Sequence, residues 1–229
     1  MGRLLDSAKI IPTESSEEIR GFLSEAGKEH FDDVYLKRKL GATPHIQAIS
    51  HMFVDIAQYA QENDLCTQSV IDRVLKTSAF FIALRGESST AIVTALQLLT
   101  DGLEQMRDEP CGSVCAYITA RNKNYEKEAA SWAETIKGYC VSLLKDKHSM
   151  LLYDYSSLVC SVLEATAQAG HPMEIYLPES RFLDGGYPFV RPCLENGHTV
   201  HFFPDVAIFY YMKHADLALM GAETFYPNG

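Results

Sequence analysis

HSMLLYDYSSLVCSVLEATAQAGHPMEIYLPESRFLDGGYPFVRPCLENGHTVHFFPDVAIFYYMKHADLALMGAE, residues 148–223, alternates short apolar runs with helical patterns. The runs at 150–153, 173–177, 199–203 and 217–220 are short and β-tolerant, as buried parallel strands are. Between them, 156–169 carries Val159, Val162, Leu163 and Ala167 at helical spacing and is closed by Gly170 and Pro172. A second helix is expected from Tyr187-Pro188, with proline in its first turn, to Asn196-Gly197, and a third over 205–214. Connections this short between strand, helix and strand build right-handed parallel crossovers. The predicted class is α/β with a doubly wound parallel sheet. Each strand ends on an acidic residue: Asp154, Glu179, Asp205 and Glu223. Open parallel sheets bind ligands outside the carboxyl ends of their strands, so these four positions point to one site.

The first half reads as helical. Ser15 and Glu18 form a capping box ahead of Ile19, Phe22, Leu23 and Ala26. Thr43-Pro44 opens a helix whose face is Ile46, Ile49, Met52, Phe53, Ile56 and Ala60. Thr67 starts a third helix through Val70, Ile71, Val74 and Leu75, a fourth runs from Ala91 to Leu103, and a fifth covers 124–144. The stretch CGSVCAYITAR, 111–121, is open to reading as a short strand or an extended linker. A helical N-terminal domain over 1–147 and a Rossmann-like domain over 148–229 are expected.

With 229 residues, 47% apolar and 22% charged, the composition is that of an ordinary globular protein. No apolar run approaches the roughly twenty residues that span a bilayer, and the start lacks a signal-peptide core. A cytoplasmic protein without a membrane partner is expected. The formal charge of −10 argues against direct nucleic-acid binding, which draws on clustered Lys and Arg. The six cysteines are scattered and read as reduced thiols. Cys111 and Cys115 have CxxxC spacing without a second ligand pair, so no metal is expected. Among the histidines, His171, His198 and His214 read as surface residues and His201 as a core residue.

At LLYDYSSLVCSVLEA, IYLPESRFLDGG and ADLALMGAETFYPNG, in that order and spacing, the chain resembles the alpha, beta and delta subunits of the exchange factor for translation initiation factor two. That family also includes ribose bisphosphate isomerase and methylthioribose phosphate isomerase. The likeness extends into the helical half through ALRGESSTAIVTAL, where the family has an Arg-Gly substrate loop followed by a helix. It implies a helical domain followed by a Rossmann-like domain that dimerises, a phosphorylated sugar or nucleoside monophosphate as ligand, and no cofactor. In the isomerases a cysteine follows the first strand of the sheet and an aspartate ends a Gly-Ala-Asp motif; here these positions are Asp154 and Glu223. A thiol can be tuned to work as an acid near neutrality, whereas an aspartate must be raised by several pKa units first. In the family further strands follow the Asn-Gly that is here Asn228-Gly229, so the sheet is expected to be short at its C-terminal side.

Each site residue has two readings. Arg85, Gly86 and Ser88 form either a phosphate loop or a helix C-cap with a solvated arginine. Arg181 either contacts a ligand phosphate or pairs with Asp205 or Glu223. Asp205 either serves the site with Glu179 or caps the following helix. Asp154 and Glu223 form either an acid–base pair or acceptors for backbone amides at helix starts. The expectation is a family member that binds a sugar phosphate or nucleotide in the crevice between its domains, regulatory or catalytically altered. The alternative is an aldose–ketose isomerase using Asp154 and Glu223. Phe209, Tyr210, Tyr211, Phe225 and Tyr226 read as interface residues of a homodimer or of a contact with a related subunit.

Overall fold

The structure, a computed structural model, describes residues 15–39, 41–86, 88–182 and 184–224. Its backbone contacts separate into two compact units, one of residues up to Tyr125 joined by Glu223 and Thr224, the other of 126–222. Phe225, Tyr226 and Asn228-Gly229 lie outside the described residues.

The first unit is helical: α1 (Ser16–Gly21), α2 (Glu25–Tyr35), α3 (Ala42–Glu62), α4 (Thr67–Arg85), α5 (Thr90–Thr100) and the first turns of α6 (Cys111–Leu144). Ser15 caps α1 by accepting from the Glu18 N–H at 3.0 Å, as the capping box requires. Ser24 caps α2, and its N–H donates to Asp55 of α3 at 2.9 Å while its hydroxyl donates to the same carboxylate. This pins the start of one helix to the middle of the next. The predicted stripe of α3 is buried throughout, with Ile49, Met52 and Ile56 at 0% exposure. Across it stand Phe31, Phe80 and Phe81, the last two edge-on with ring centroids 5.2 Å apart. Each such side chain contributes about 1.5–3 kcal/mol on burial, so this cluster dominates the unit.

The stretch 111–121 forms the opening turns of α6. Its Val, Ile and Thr residues favour strands locally, but Val114, Cys115 and Ile118 fall at helical spacing and are all buried against the first-unit core. Tertiary packing decides what propensity left open. The pattern boundary at 147/148 lies between the end of α6 and the first strand, while the division by contacts falls inside α6, between Tyr125 and Glu126.

In the second unit four parallel strands, β1 (Ser149–Leu152), β2 (Glu174–Pro178), β3 (Thr199–Phe203) and β4 (Leu217–Leu219), stand in the order β3-β2-β1-β4. Register sets Met150 beside Ile175 and Leu217. Between them run α7 (Ser157–Gln168), α8 (Tyr187–Glu195) and a segment made of 3-10 turns flanking α9 (Ile208–Tyr211). Met150, Leu152, Ile175 and Leu177 pack one face against Val162, Leu163 and Phe189; Leu151, Tyr176 and Phe203 pack the other against Ile208 and Tyr211. Both faces are covered, as a doubly wound sheet requires. At the opposite edge from the candidate site, Asp216 accepts from the N–H groups of His148 (2.7 Å) and Ser149 (3.1 Å), which sets β4 against β1.

The expectation of a surface His198 is corrected. The residue is 3% exposed; its Nδ1 accepts from Met173 N–H at 3.0 Å, and its Nε2 donates to the Leu163 carbonyl at 3.0 Å. The turn at Asn196-Gly197 leads directly into β3, which places this ring beneath α7. His201, read as a core residue, is only half-buried and stacks on Tyr176 at 4.9 Å.

His45, near the start of α3, is 2% exposed; its Nε2 donates to the Lys39 carbonyl at 2.9 Å, and its Nδ1 has no partner among the described residues. Burial holds its pKa below the usual histidine value. The unfolded chain therefore takes up a proton at about pH 6.5 that the folded ring refuses, so stability present above that pH is lost as pH falls below it. Urea unfolding between pH 7.5 and 5 is expected to show a stability slope that His45→Gln makes shallower, by at most about 1.4 kcal/mol per pH unit. Identical slopes in the two proteins would contradict this.

Candidate functional site

The carboxyl ends of β1, β2 and β3 are joined by one series of hydrogen bonds. Asp205, past β3, accepts through its two oxygens from the N–H groups of Ser180 (2.8 Å) and Arg181 (2.9 Å), past β2. The Ser180 hydroxyl in turn accepts from the Asp154 N–H at 2.9 Å, past β1. Asp154 then turns its Oδ1 onto the Tyr155 N–H at 2.8 Å. Three non-glycine residues in this corner have left-handed backbones: Asp154 (φ 58°), Ser180 (φ 50°) and Asp184 (φ 51°). Such conformations cost about 1–3 kcal/mol each and cluster where a site is held in shape. Asp184-Gly185-Gly186 closes around them. A Cβ at Gly185 would overlap the Asp154 carboxylate, and one at Gly186 would overlap the Pro178 carbonyl.

This arrangement settles two of the structural alternatives. Asp205 makes no side-chain cap to the 3-10 turn that it begins, because both its oxygens face the β2 turn. The Arg181 guanidinium pairs with neither Asp205 nor Glu223 among the described contacts; it meets Glu179 at 3.2 Å and is 78% exposed, where Glu179 is 19% exposed. Such an exposed pair contributes about 0–1 kcal/mol, so Arg181 is held loosely.

Strand order reverses between β1 and β4, and a crevice opens at that switch point in folds of this kind. Its flanks are Tyr153-Asp154-Tyr155 after β1 and Met220-Gly221 after β4. Gly221 lies so close to the start of α7 that a Cβ there would stand 2.7 Å from the Ser156 side chain. Ser156 caps α7 by accepting from Val159 N–H at 3.3 Å. The N-terminus of a twelve-residue helix thus faces the switch point, with a partial positive charge at its mouth.

In the first unit Arg85 ends α4 and Gly86 follows it, packed so tightly that a Cβ would stand 2.5 Å from the Ile82 carbonyl and 2.8 Å from Val93. The Arg85 carbonyl collects the N–H groups of Ser88 (3.1 Å) and Ser89 (3.0 Å) and the Ser88 hydroxyl (2.9 Å), and Ser89 caps α5. The arginine is half-buried, and its Nε is enclosed without a partner among the described residues, so it is not the solvated side chain of the C-cap reading. Glu223 joins this unit through its carbonyl, which accepts from Ala91 N–H (3.1 Å) and the Thr90 hydroxyl (3.1 Å). His45 senses both charges: Arg85 lowers its pKa and Glu223 raises it, beneath the larger effect of burial. The unpartnered Arg85 Nε donor and His45 Nδ1 acceptor therefore belong to one electrostatic neighbourhood.

Sequence reading missed Ser180, the Asp184-Gly185-Gly186 turn and His45. The paired glycines after Glu-Ser-Arg were a visible signal; His45 carried none, being one polar residue at the head of an apolar stripe. Among the described residues no group of three or more His, Cys, Asp or Glu side chains is placed to hold a metal ion. Burial pushes the thiols of Cys115 and Cys193 up to about 11 and about 12, which makes them poor nucleophiles. No described helix is long and apolar enough to cross a membrane.

Comparison with known proteins follows the same lines. The family model of the Initiation factor 2 subunit family matches residues 41–229. The chain is similar to ribose 1,5-bisphosphate isomerase of Archaeoglobus fulgidus, 27% identical over 107 residues, which are 45% of this chain and 34% of that protein. The match to curated relatives thus spans about a third of their length. Among solved structures, 5-methylthioribose 1-phosphate isomerase from Pyrococcus horikoshii OT3 superposes with a TM-score of 0.71 at 17% identity, covering 89% of this chain and 59% of that one. The tetrameric eIF2B-beta2-delta2 complex from C. thermophilum gives 0.63 at 14% identity, covering 93% and 72%. At these identities the structural likenesses speak for the fold, and the family match runs from the start of α3 through every strand; the chain belongs to the initiation factor 2 subunit family.

Proposed function

We propose that this protein binds a phosphorylated sugar or a nucleoside monophosphate and acts as a regulatory or chemically altered member of its family. The observation that carries the proposal is the hydrogen-bonded corner at the strand ends, where three residues with left-handed backbones, Asp154 among them, stand beside a sheet switch point. Asp154 and Glu179 offer acceptors for sugar hydroxyls, and Arg181 a guanidinium for phosphate. In the first unit Arg85, with its unpartnered Nε, Gly86 and Ser88 are proposed as a further anion-binding group. Asp154 stands where the resemblance places the isomerase thiol, and this exchange of a thiol for a carboxylate supports a chemically altered member of the family.

The second reading is an aldose–ketose isomerase in which Asp154 and Glu223 take the two catalytic positions; the similarity to ribose 1,5-bisphosphate isomerases favours it. Both readings allow association. Val206 is 91% and Phe209 86% exposed, beside the half-exposed Tyr210 and Met212, and this apolar surface is proposed to meet a second copy or a related subunit. Tyr211, expected among the interface residues, instead faces the sheet and stacks on Phe203 at 4.1 Å.

Calorimetry with ribose 1,5-bisphosphate, methylthioribose 1-phosphate and adenosine monophosphate is expected to show saturable binding of at least one of them. Arg85→Gln is expected to weaken that binding roughly tenfold to a hundredfold, the scale of one lost charge-assisted contact. NMR of the same mixtures should show no ketose formed from the sugar phosphates. Turnover near an ordinary enzymatic rate, about 1 per second or faster, that vanishes in both Asp154→Asn and Glu223→Gln would replace this reading with the second. Sedimentation at micromolar concentration is expected to show a dimer, which Phe209→Asp shifts towards monomer. A wild-type protein that stays monomeric would count against the apolar surface as a self-contact.

A further inference from the structure

The second half of α6 carries more apolar surface than its own unit covers. Tyr139 is 75% and Leu143 70% exposed, and Trp132 and Ile136 are exposed as well. At about 100° of rotation per residue these positions, spaced four, three and four apart, fall within about 60° of one another around the helix. Single exposed hydrophobics are ordinary, whereas four in one line form a patch. The side of α6 that packs on the sheet lies about a quarter turn away, where Leu144 is buried and Cys140 half-buried in the same core as Met150 and Val162. None of the four residues belongs to that core.

We propose that this line is a self-contact, in which the α6 helices of two copies pack antiparallel, Trp132 on the partner's Leu143 and Ile136 on the partner's Tyr139, each contact made twice across a twofold axis. The spacing is that of the a and d positions of a coiled coil, where one seam meets another of the same kind. Charge selects a second copy. Between residues 129 and 144 the only charged side chains are Glu134 and Lys137, which pair with each other across one turn on the far side of the helix. A seam without charge meets its own copy without repulsion, although the chain as a whole carries −10. Area agrees with this. Aromatic side chains present about 150–250 Å² each, so the exposed parts of the four residues, taken over two copies, come to the order of 1,000 Å², the lower limit of a specific interface. Small residues beside the seam, Ala129, Thr135 and Ser142, let the two axes approach to about 8–10 Å. Size decides the orientation. The antiparallel arrangement sets each aromatic ring against an aliphatic side chain and opposes the two helix dipoles, where a parallel pair stacks like on like.

So small a contact is weak, with a Kd on the order of 10–100 µM. It differs in place from the surface of Val206 and Phe209, and it depends on neither reading of the ligand. Two different twofold contacts on one chain carry assembly past the dimer as concentration rises.

The chain's single tryptophan lies in the seam and reports on it. The test follows Trp132 emission and sedimentation of the full chain from about 1 µM to about 300 µM. Closing the seam takes water from the ring, so the emission is expected to move saturably to shorter wavelength, in step with the larger species. Phe209→Asp should leave that shift in place. Tyr139→Lys should weaken the association tenfold or more and hold the emission at its dilute value, and Leu143→Lys should do the same should the first variant lose its fold. Orientation is read by mixing Leu143→Lys with Trp132→Glu. Only the antiparallel pair sets the new lysine against the new glutamate while the remaining tryptophan meets a native leucine, so the mixture is expected to regain the shift that Leu143→Lys alone has lost. An emission that does not move with concentration would overturn the proposal, whether the protein stays monomeric or associates through another surface. So would a shift that survives both lysine variants, one that Phe209→Asp abolishes, or a mixture that regains nothing.

Discussion

The carboxylate of Asp205 holds the functional end of the second unit together. By taking the N–H groups of Ser180 and Arg181 it fixes the turn after β2 to the start of the segment after β3. That bond makes the left-handed backbone of Ser180 sustainable and aims the serine hydroxyl at the Asp154 N–H. Hydrogen bonds of this kind contribute about 0.5–3 kcal/mol each, the same order as the roughly 1–3 kcal/mol that the αL backbone of Ser180 costs. An apolar side chain at 205 would leave two donors unmatched and release the turn that presents Asp154. The acidic residue past β3 is thus an architectural device, whatever it also does for a ligand.

The first unit solves a different problem. Its helices owe little to isolated propensity and much to one aromatic and aliphatic core, on which α3 lays a fully buried stripe. A polar group can be kept inside such a core only if it is matched, which makes the unmatched atoms among the described residues of this unit, Arg85 Nε, His45 Nδ1 and Asn122 Nδ2, informative. Arg85 Nε and His45 Nδ1 are enclosed, carry opposite hydrogen-bonding roles and lie in one electrostatic neighbourhood. Buried polar groups left unmatched cost about 1–3 kcal/mol each, so their presence near the Arg-Gly turn agrees with a ligand that would satisfy them.

The α/β architecture was legible because its signals are local and redundant: four apolar runs, glycine and proline stops, and acidic residues at fixed offsets. Every strand fell within two residues of its predicted span. The stretch 111–121 stayed open because its β-branched residues argue against its own periodicity, and only packing into the first-unit core resolves it as helix. His198 was misplaced for a related reason. A histidine next to Asn-Gly looks exposed unless one knows that α7 lies over that turn. Position at the strand ends and the family resemblance supplied the site residues, yet neither carried anything about how they are supported. Ser180, the residue that links β2 to β1, is an ordinary serine in the sequence and becomes visible only as an acceptor 26 positions away from its donor.

The central claim is that the corner tied by Asp205 and Ser180 faces a ligand. Amide-resolved NMR of the full chain titrated with ribose 1,5-bisphosphate tests it most directly, because the tie is made of backbone N–H groups that report their own environment. The account predicts saturable shifts at Asp154, Tyr155, Ser180 and Arg181. Saturable binding that leaves the Asp154, Ser180 and Arg181 amides unmoved while shifting residues elsewhere would contradict it.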